Sequence, residues 1–276
     1  MIQQTLTLLP LQEMSESNVL NDKSIHSIHI NEIDMKILNL GCGAKTSDRP
    51  EVINIDYSIA LRVRNTKMLR PIVPLLFQGK RLKNFRALPE NILVHNLAKG
   101  IPFPDGSVDA VYHSHLFEHL DREVGEKFLH EVKRVLKPGG IHRIVVPDFE
   151  FLCRDYIAHI EACASSPAEC SKHDSFVAPI IEQCVRREAS GSSQQGGLRR
   201  FVENRLLGDA RNRGETHQWM YDKINLTAKA LEAGYKQVIA QTYDTSLIPN
   251  WQAYGLDVYE DGRQYKPHCL YIEATK

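Results

Sequence analysis

The stretch from Lys36 to Asp56 leaves this chain few ways to fold: Lys-Ile-Leu-Asn-Leu-Gly-Cys-Gly-Ala-Lys, a short polar segment, then Val-Ile-Asn-Ile-Asp. Ile37 to Leu40 reads as a buried parallel strand halted by Gly41-Cys42-Gly43. Val52 to Ile55 reads as the next strand, and it ends on a single carboxylate, Asp56. Glycines after a first strand let the backbone approach a ligand closely, because no Cβ intervenes. An acid at the tip of the second strand can accept hydrogen bonds from the two hydroxyls of a ribose. The pattern is that of a nucleoside site.

Spacing narrows the nucleoside. A dinucleotide loop carries a third glycine that eases helix–strand packing beside a pyrophosphate. Here Gly41-Cys42-Gly43 is followed by Ala44-Lys45-Thr46, so that glycine is missing. Asp56 follows Gly43 by 13 residues, against about 20 in the dinucleotide pattern. On these residues the chain resembles the class I S-adenosylmethionine-dependent methyltransferases (methyltransferase type 11-like), whose first motif is a strand ending in L-G-C-G or L-G-x-G.

Later blocks extend the resemblance. Ile92 to Asn96 reads as a third strand, followed by Gly-Ile-Pro-Phe-Pro-Asp-Gly-Ser-Val-Asp109 and an apolar fourth strand, Ala110 to Tyr112. Similar enzymes have an acid–Leu pair and then L-P-F-x-D-x-S-F-D. The acid accepts from the adenine amine, which here implies Asn96 with Leu97 beside it. An amide oxygen accepts that bond without charge assistance, so weaker binding is expected. Glu118-His119-Leu120 matches an E-H-L motif, and Arg134-Val-Leu-Lys-Pro-Gly-Gly140 matches a helix stop before the fifth strand, Ile141 to Val146. His217, Trp219, Tyr221 and Asp222 match H-x-W-x-Y/F-D. The helix Leu226 to Ala233, ending at Gly234-Tyr235, resembles L-x-x-A-G-F/Y, after which Val238 to Thr242 and His268 to Ala274 read as closing strands.

The resemblance implies a Rossmann-like, doubly wound α/β sheet of seven strands, mostly parallel with one antiparallel strand near the C-terminus, plus a helical insertion. The organisation read from the chain is an N-terminal arm (1–34), a cofactor-binding core (35–150), a helical cap (151–215) and the C-terminal part of the core (216–276). In the cap, helices are expected over Phe151 to Ala164, Ser175 to Glu188 and Leu198 to Leu207. Helices are also expected over Glu126 to Leu136 and Leu226 to Ala233.

Composition removes several classes. Charge balances at 34 basic and 34 acidic residues, so no global basic signature of a nucleic-acid binder exists. No apolar run approaches the ~20 residues that span a bilayer, and Met1 to Leu11 lacks a basic n-region. Six scattered cysteines, four of them between 153 and 184 with no C-x-x-C, read as reduced thiols in a cytoplasmic protein, with no metal site expected. One segment stands out: between Asp56 and Pro89 lie eight basic residues and no acid. It reads as a crossover helix with its basic face in water, or as a basic lid (57–89) meeting an anionic substrate or a membrane surface.

The resemblance implies S-adenosylmethionine as cofactor, held by Asn39, Gly41, Cys42, Gly43, Asp56, Asn96, Leu97 and His113. It also implies in-line displacement, in which proximity and alignment contribute about 7–11 kcal/mol. For a hydroxyl acceptor, a base helps by about 10²–10⁴-fold; the candidates are His115, His119 and His217. His113, His115 and His119 also fit two other readings, metal ligands or core imidazoles satisfied by backbone groups. Asp148, Arg211, Arg213 and Tyr221 are candidates for contact with the acceptor, a small molecule or a glycan. A noncatalytic nucleoside binder on the same scaffold is the rival reading.

Overall fold

The computed structural model describes residues 35–66, 73, 79–183 and 216–276. Residues Met35–Lys276 form one compact unit. At its centre is a seven-stranded sheet: β1 (Ile37–Leu40), β2 (Val52–Asp56), β3 (Ile92–Val94), β4 (Val108–Ser114), β5 (Leu136–Pro147), β6 (Gln237–Gln241) and β7 (Cys269–Thr275). Their order across the sheet is β3-β2-β1-β4-β5-β7-β6. The first five strands run parallel, while β7 is antiparallel to both β5 and β6. Mostly parallel, with one strand reversed near the C-terminus, this is the expected architecture.

Helices α1 (Ile59–Asn65), α2 (Gly79–Arg86), α3 (Arg122–Val135), α4 (Phe149–Ser165), α5 (Pro167–Cys170), α6 (His173–Gln183) and α7 (Lys223–Glu232) complete the described elements. The best amphipathic helix is α3, which turns Phe128, Leu129, Val132 and Val135 onto Leu38, Leu40, Val111 and Ile144 of the sheet. Burying one such side chain contributes about 1.5–3 kcal/mol. A second cluster on the other face joins Ile37, Ala110, Tyr112 and Val145 to Trp251, Tyr254 and Leu256.

Several boundaries moved, each for a local reason. Helix α3 starts at Arg122, a turn earlier than Glu126, and its stop is followed at once by β5, since Leu136 already pairs with Val108. Gly140 is required there: a Cβ would meet the Lys137 and Asp109 carbonyl oxygens at 2.9 and 3.0 Å. Strand β3 ends at Val94 because Asn96 caps the 3-10 turn Leu97–Lys99. The α7 start lies at Lys223, where Asp222 and Asn225 form a reciprocal cap. The helix expected over Leu198 to Leu207 lies outside the described residues.

Two buried polar systems tie the layers together. Arg143, fully buried on β5, donates to Asp257 (2.8 Å), Glu273 (2.7 Å) and the carbonyls of Thr242 and Thr245. Asp257 also accepts from Tyr112 and Trp251, and Glu273 from Ser246 and Leu247. The loop from Thr242 to Asp257 is thereby pinned to the sheet.

On the opposite face His113, His142 and Tyr235 form a chain of bonds: Nε2 to Nε2 at 2.9 Å, then His142 Nδ1 to the Tyr235 hydroxyl at 2.9 Å. Tyr235 gives its proton to the Leu129 carbonyl. Thus His142 Nδ1 donates to Tyr235, its Nε2 accepts, and His113 carries its proton on Nε2. Burial keeps both rings neutral, with His113 down at about 3.

Candidate active site

The tips of β1, β2 and β4 meet at one edge of the sheet, where open parallel sheets place their ligands. Gly41 and Gly43 both take positive φ, 62° and 54°. The Gly43 N–H donates to Asp56 Oδ2 at 2.6 Å, so the loop and the acid, 13 residues apart in sequence, are in contact. The other Asp56 oxygen accepts from Ser58 at 2.8 Å. A Cβ on Gly43 would face open space, which leaves the loop's surface clear for a ligand, whereas one on Gly41 would press on Leu116 at 3.0 Å. Cys42 is buried under the loop, and burial with Asp56 nearby pushes its thiol up to about 12.

A hollow of about 190 Å³ opens over this loop, lined by Asn39, Gly41–Lys45, Tyr112, Ser114, His115, Tyr265 and Lys266. Beside it, Leu97, Leu116, Leu120, Val124 and Phe128 line an apolar hollow of about 450 Å³. Glycine cradle, strand-tip acid and adjoining apolar trough fit the sugar, amino-acid and base parts of S-adenosylmethionine.

Past β4 the backbone turns sharply. His115 takes φ 52°, a left-handed value in which histidine is enriched several-fold. Its Nδ1 lies 3.4 Å from Glu118 Oε1 and its Nε2 lies 3.2 Å from the Cys269 sulfur. Glu118 is 1% exposed and neither of its carboxyl oxygens accepts a hydrogen bond. Burial pushes this carboxyl up to about 8, and burial together with Lys266 holds His115 down at about 3. At neutral pH the contact is therefore between an uncharged acid and an uncharged imidazole. It is not an ion pair.

The segment carrying His217 is held against this corner by its backbone: Gln218 and Trp219 donate to the Glu118 carbonyl at 2.6 and 3.3 Å. His119 Nδ1 lies 3.2 Å from the Thr216 carbonyl, and the His119 and His217 rings meet edge to face at 4.8 Å. Ligand atoms of Glu118, His119 and His217 lie within 4.8 Å of one another.

Several expected site residues have other roles. His113 is fully enclosed among Phe117, Phe128 and His142, so it belongs to the core and presents nothing to a cofactor. The Asn96 carbonyl oxygen, expected to read adenine, accepts from Ala98 N at 3.0 Å. Asn39 donates to the Lys45 carbonyl and to Asn54, clamping the glycine loop from below while still reaching the hollow. Asp148 caps α4 through the Glu150 and Phe151 amides, since a strand-to-helix turn leaves those donors orphaned. Tyr221 is 4% exposed and packs on Phe117 at 5.0 Å, its hydroxyl raised by burial to about 12; it is a core residue, not an acceptor contact. Arg211 and Arg213 lie outside the described residues. Leu97 does line the apolar hollow.

Three wall residues went unread in the sequence. Lys45 donates to the Val258 carbonyl at 2.8 Å with its ammonium over the Tyr265 ring at 4.5 Å. Tyr265 and Lys266 arrive from the turn before β7. No local motif marks them, because only the antiparallel return of β7 brings that turn to the glycine loop.

Residues 73–144 match the model of a methyltransferase domain family. The match takes in the P-F-P-D, E-H-L and R-V-L-K-P-G-G blocks; the glycine loop precedes it. No curated protein matches in sequence. Among solved structures, the chain is similar to an S-adenosylmethionine-dependent methyltransferase of Thermotoga maritima (16% identity, 87% of this chain and 82% of that one, TM-score 0.40). It is similar also to such enzymes of Archaeoglobus fulgidus (14%, 88% and 86%, TM-score 0.38) and Mesorhizobium loti (13%, 88% and 91%, TM-score 0.36). Residues 73–144 thus match a methyltransferase domain family, and the sheet order and glycine–acid cradle around them are those of a Rossmann-like methyltransferase fold.

Proposed function

We propose that the methyl group passes to an acceptor hydroxyl on a small molecule or saccharide, with His115 as base and Glu118 behind it. The observation that carries this reading is the placement of His115, which lines the hollow over the glycine loop and touches a buried carboxyl with no hydrogen-bond donor of its own. S-adenosylmethionine, when bound, supplies a methyl group already activated on positive sulfur, so the protein has chiefly to align, to exclude water and to take a proton. Asp56 and the Gly41–Gly43 backbone would hold the sugar and amino-acid ends, and the Leu97–Leu116 trough the base.

The acceptor oxygen must shed its proton as it gains carbon. A protonated Glu118, 3.4 Å from His115 Nδ1, can only face that nitrogen as a donor, which would leave the ring proton on Nε2 and no lone pair toward the hollow. Once Glu118 ionises, Nδ1–H donates to the carboxylate and Nε2 becomes the acceptor, the logic of a carboxylate-oriented imidazole. Nε2 now rests against the Cys269 thiol, which burial and Glu118 keep protonated at about 12, a weak contact that a hydroxyl can displace.

Turnover should therefore rise with pH through about 8. Glu118→Gln should flatten that limb, and His115→Ala should lower kcat by about 10²–10⁴-fold with donor affinity kept. Equal loss of donor affinity, or turnover that ignores either change, would overturn the assignment. The rival noncatalytic reading predicts no S-adenosylhomocysteine release with any acceptor.

The basic segment 57–89 is the proposed contact for an anionic acceptor or a membrane surface. Arg62 stands over the Tyr57 ring at 5.0 Å, and both side chains are exposed. Arg64, by contrast, is bound to the Leu88 and Pro89 carbonyls. Co-sedimentation with anionic but not neutral vesicles, lost at high salt, is the expected result; no binding to either ends the membrane reading. No helix among the described residues is long and apolar enough to cross a membrane.

A further inference from the structure

The helices α4, α5 and α6 bring together four soft-ligand side chains well apart from the methyl-transfer site in sequence: His159, Cys163, Cys170 and His173. Along the chain they read H-x3-C-x6-C-x2-H. His159 and Cys163 are one turn apart on the same face of α4, Cys170 closes the four-residue α5, and His173 opens α6. Among the 17 residues of α4 the one buried side chain is His159, 5% exposed. A helix that anchors itself on an imidazole rather than a leucine needs a partner for that ring.

The partner is sulfur. His159 Nε2 lies 3.4 Å from the Cys163 Sγ, and the donor atoms of His159, Cys163 and His173 all lie within 4.8 Å of one another. The Cys170 thiol, at the end of α5, reaches the Cys163 carbonyl at 3.7 Å. With zinc–sulfur and zinc–nitrogen bonds of about 2.3 and 2.0 Å, neighbouring N and S corners of a tetrahedron stand about 3.5 Å apart. The observed N–S separation is close to that edge.

Packing fixes the imidazoles. His159 is sandwiched flat on Phe176 (3.8 Å, 8°) and lies parallel to His173 (5.4 Å, 19°), which also touches Tyr156. Meanwhile the apolar contribution of these helices is weak, with Ile157, Ile160 and Ile181 45–55% exposed. A four-residue helix has no stability of its own, and a metal joining α4, α5 and α6 would supply what the small core does not.

We propose that His159, Cys163, Cys170 and His173 form a structural, closed Cys2His2 site for zinc that staples the helical insertion. Two thiolates and two neutral imidazoles cancel the charge of one Zn²⁺, and both thiol protons leave to solvent as the metal binds.

The test uses the full chain. Purified protein should contain one zinc per molecule; after chelation, Co²⁺ should restore one equivalent with the visible bands of a tetrahedral site and thiolate charge transfer in the near ultraviolet. Cys163→Ser and Cys170→Ser should each weaken the charge-transfer band, and the double variant should abolish it, while Cys153→Ser and Cys269→Ser keep it. Donor binding, read separately by calorimetry, should survive in the double variant, so that failure of the zinc site and failure of the methyltransferase reading are distinguishable. An octahedral Co²⁺ spectrum, sub-stoichiometric metal, or a Cys163–Cys170 disulfide found by mass under reducing purification would overturn the proposal. If the double variant does not fold, His173→Gln with unchanged near-ultraviolet bands would overturn it as well.

Discussion

Gly41 shows how far one residue's backbone can constrain a site. Its positive φ is a conformation that costs an L-residue about 1–2 kcal/mol, and a Cβ there would also press on both Leu116 δ-carbons at 3.0 and 3.3 Å. Gly41→Ala should therefore lower stability by about 1–3 kcal/mol, backbone strain plus crowding, and weaken donor binding, since Gly41 lines the hollow over the loop and Leu116 the apolar one. Thermal melting with and without S-adenosylmethionine checks both effects. Gly43→Ala meets no neighbour in the free protein. It should therefore cost only the backbone strain of its positive φ, about 1–2 kcal/mol, and otherwise act on donor affinity. At this scale Glu118 is the counterpart: a side chain whose value depends on being buried beside His115, which its position in an E-H-L motif does not reveal.

At the scale of elements, β5 carries two buried polar groups side by side in sequence and on opposite faces of the sheet. His142 goes to Tyr235 and Arg143 to Asp257 and Glu273. Removing the guanidinium leaves two buried carboxylates without their cation, so Arg143→Ala should cost about 3–5 kcal/mol in urea unfolding. Arg143→Met with Asp257→Asn and Glu273→Gln should recover part of it. The histidines respond to pH in the same direction as the usual carboxylate, losing stability as pH falls, but by desolvation of the ring instead of stabilisation of a charge. Their folded-state pKa lies below the ordinary value of 6.5, so the unfolded chain binds more protons as pH falls. Stability is complete above that value and drains below it, by up to about 1.4 kcal/mol per pH unit for each ring. Unfolding series between neutral pH and pH near 5 should show this slope, and His142→Leu should shallow it.

For the molecule as a whole, binding of the right nucleoside should stabilise the fold by mass action. S-adenosylmethionine at about 100 times its Kd is expected to add about 2.7 kcal/mol and raise Tm, while NAD leaves it unchanged. A shift with NAD alone would mean that the missing third glycine had been misread.

What the sequence determined by itself was the part written in short-range pattern. Apolar runs of strand length, the glycines at 41 and 43, Asp56 at a strand tip and the Pro-Gly-Gly stop are local demands of sterics and burial, and they sufficed for the strands and the nucleoside loop, while the seven-stranded class came through the resemblance those motifs carry. Tertiary structure decided which side chains face the ligand. His113 carries the same imidazole as His115, yet alternation along β4 sends His113 into the core while the left-handed turn at His115 swings its ring over the loop. The antiparallel return of β7 alone brings Tyr265 and Lys266 to residues more than 200 positions earlier, as the Lys45–Val258 bond records. Such meetings depend on strand order, a property of the whole chain that no window of residues contains.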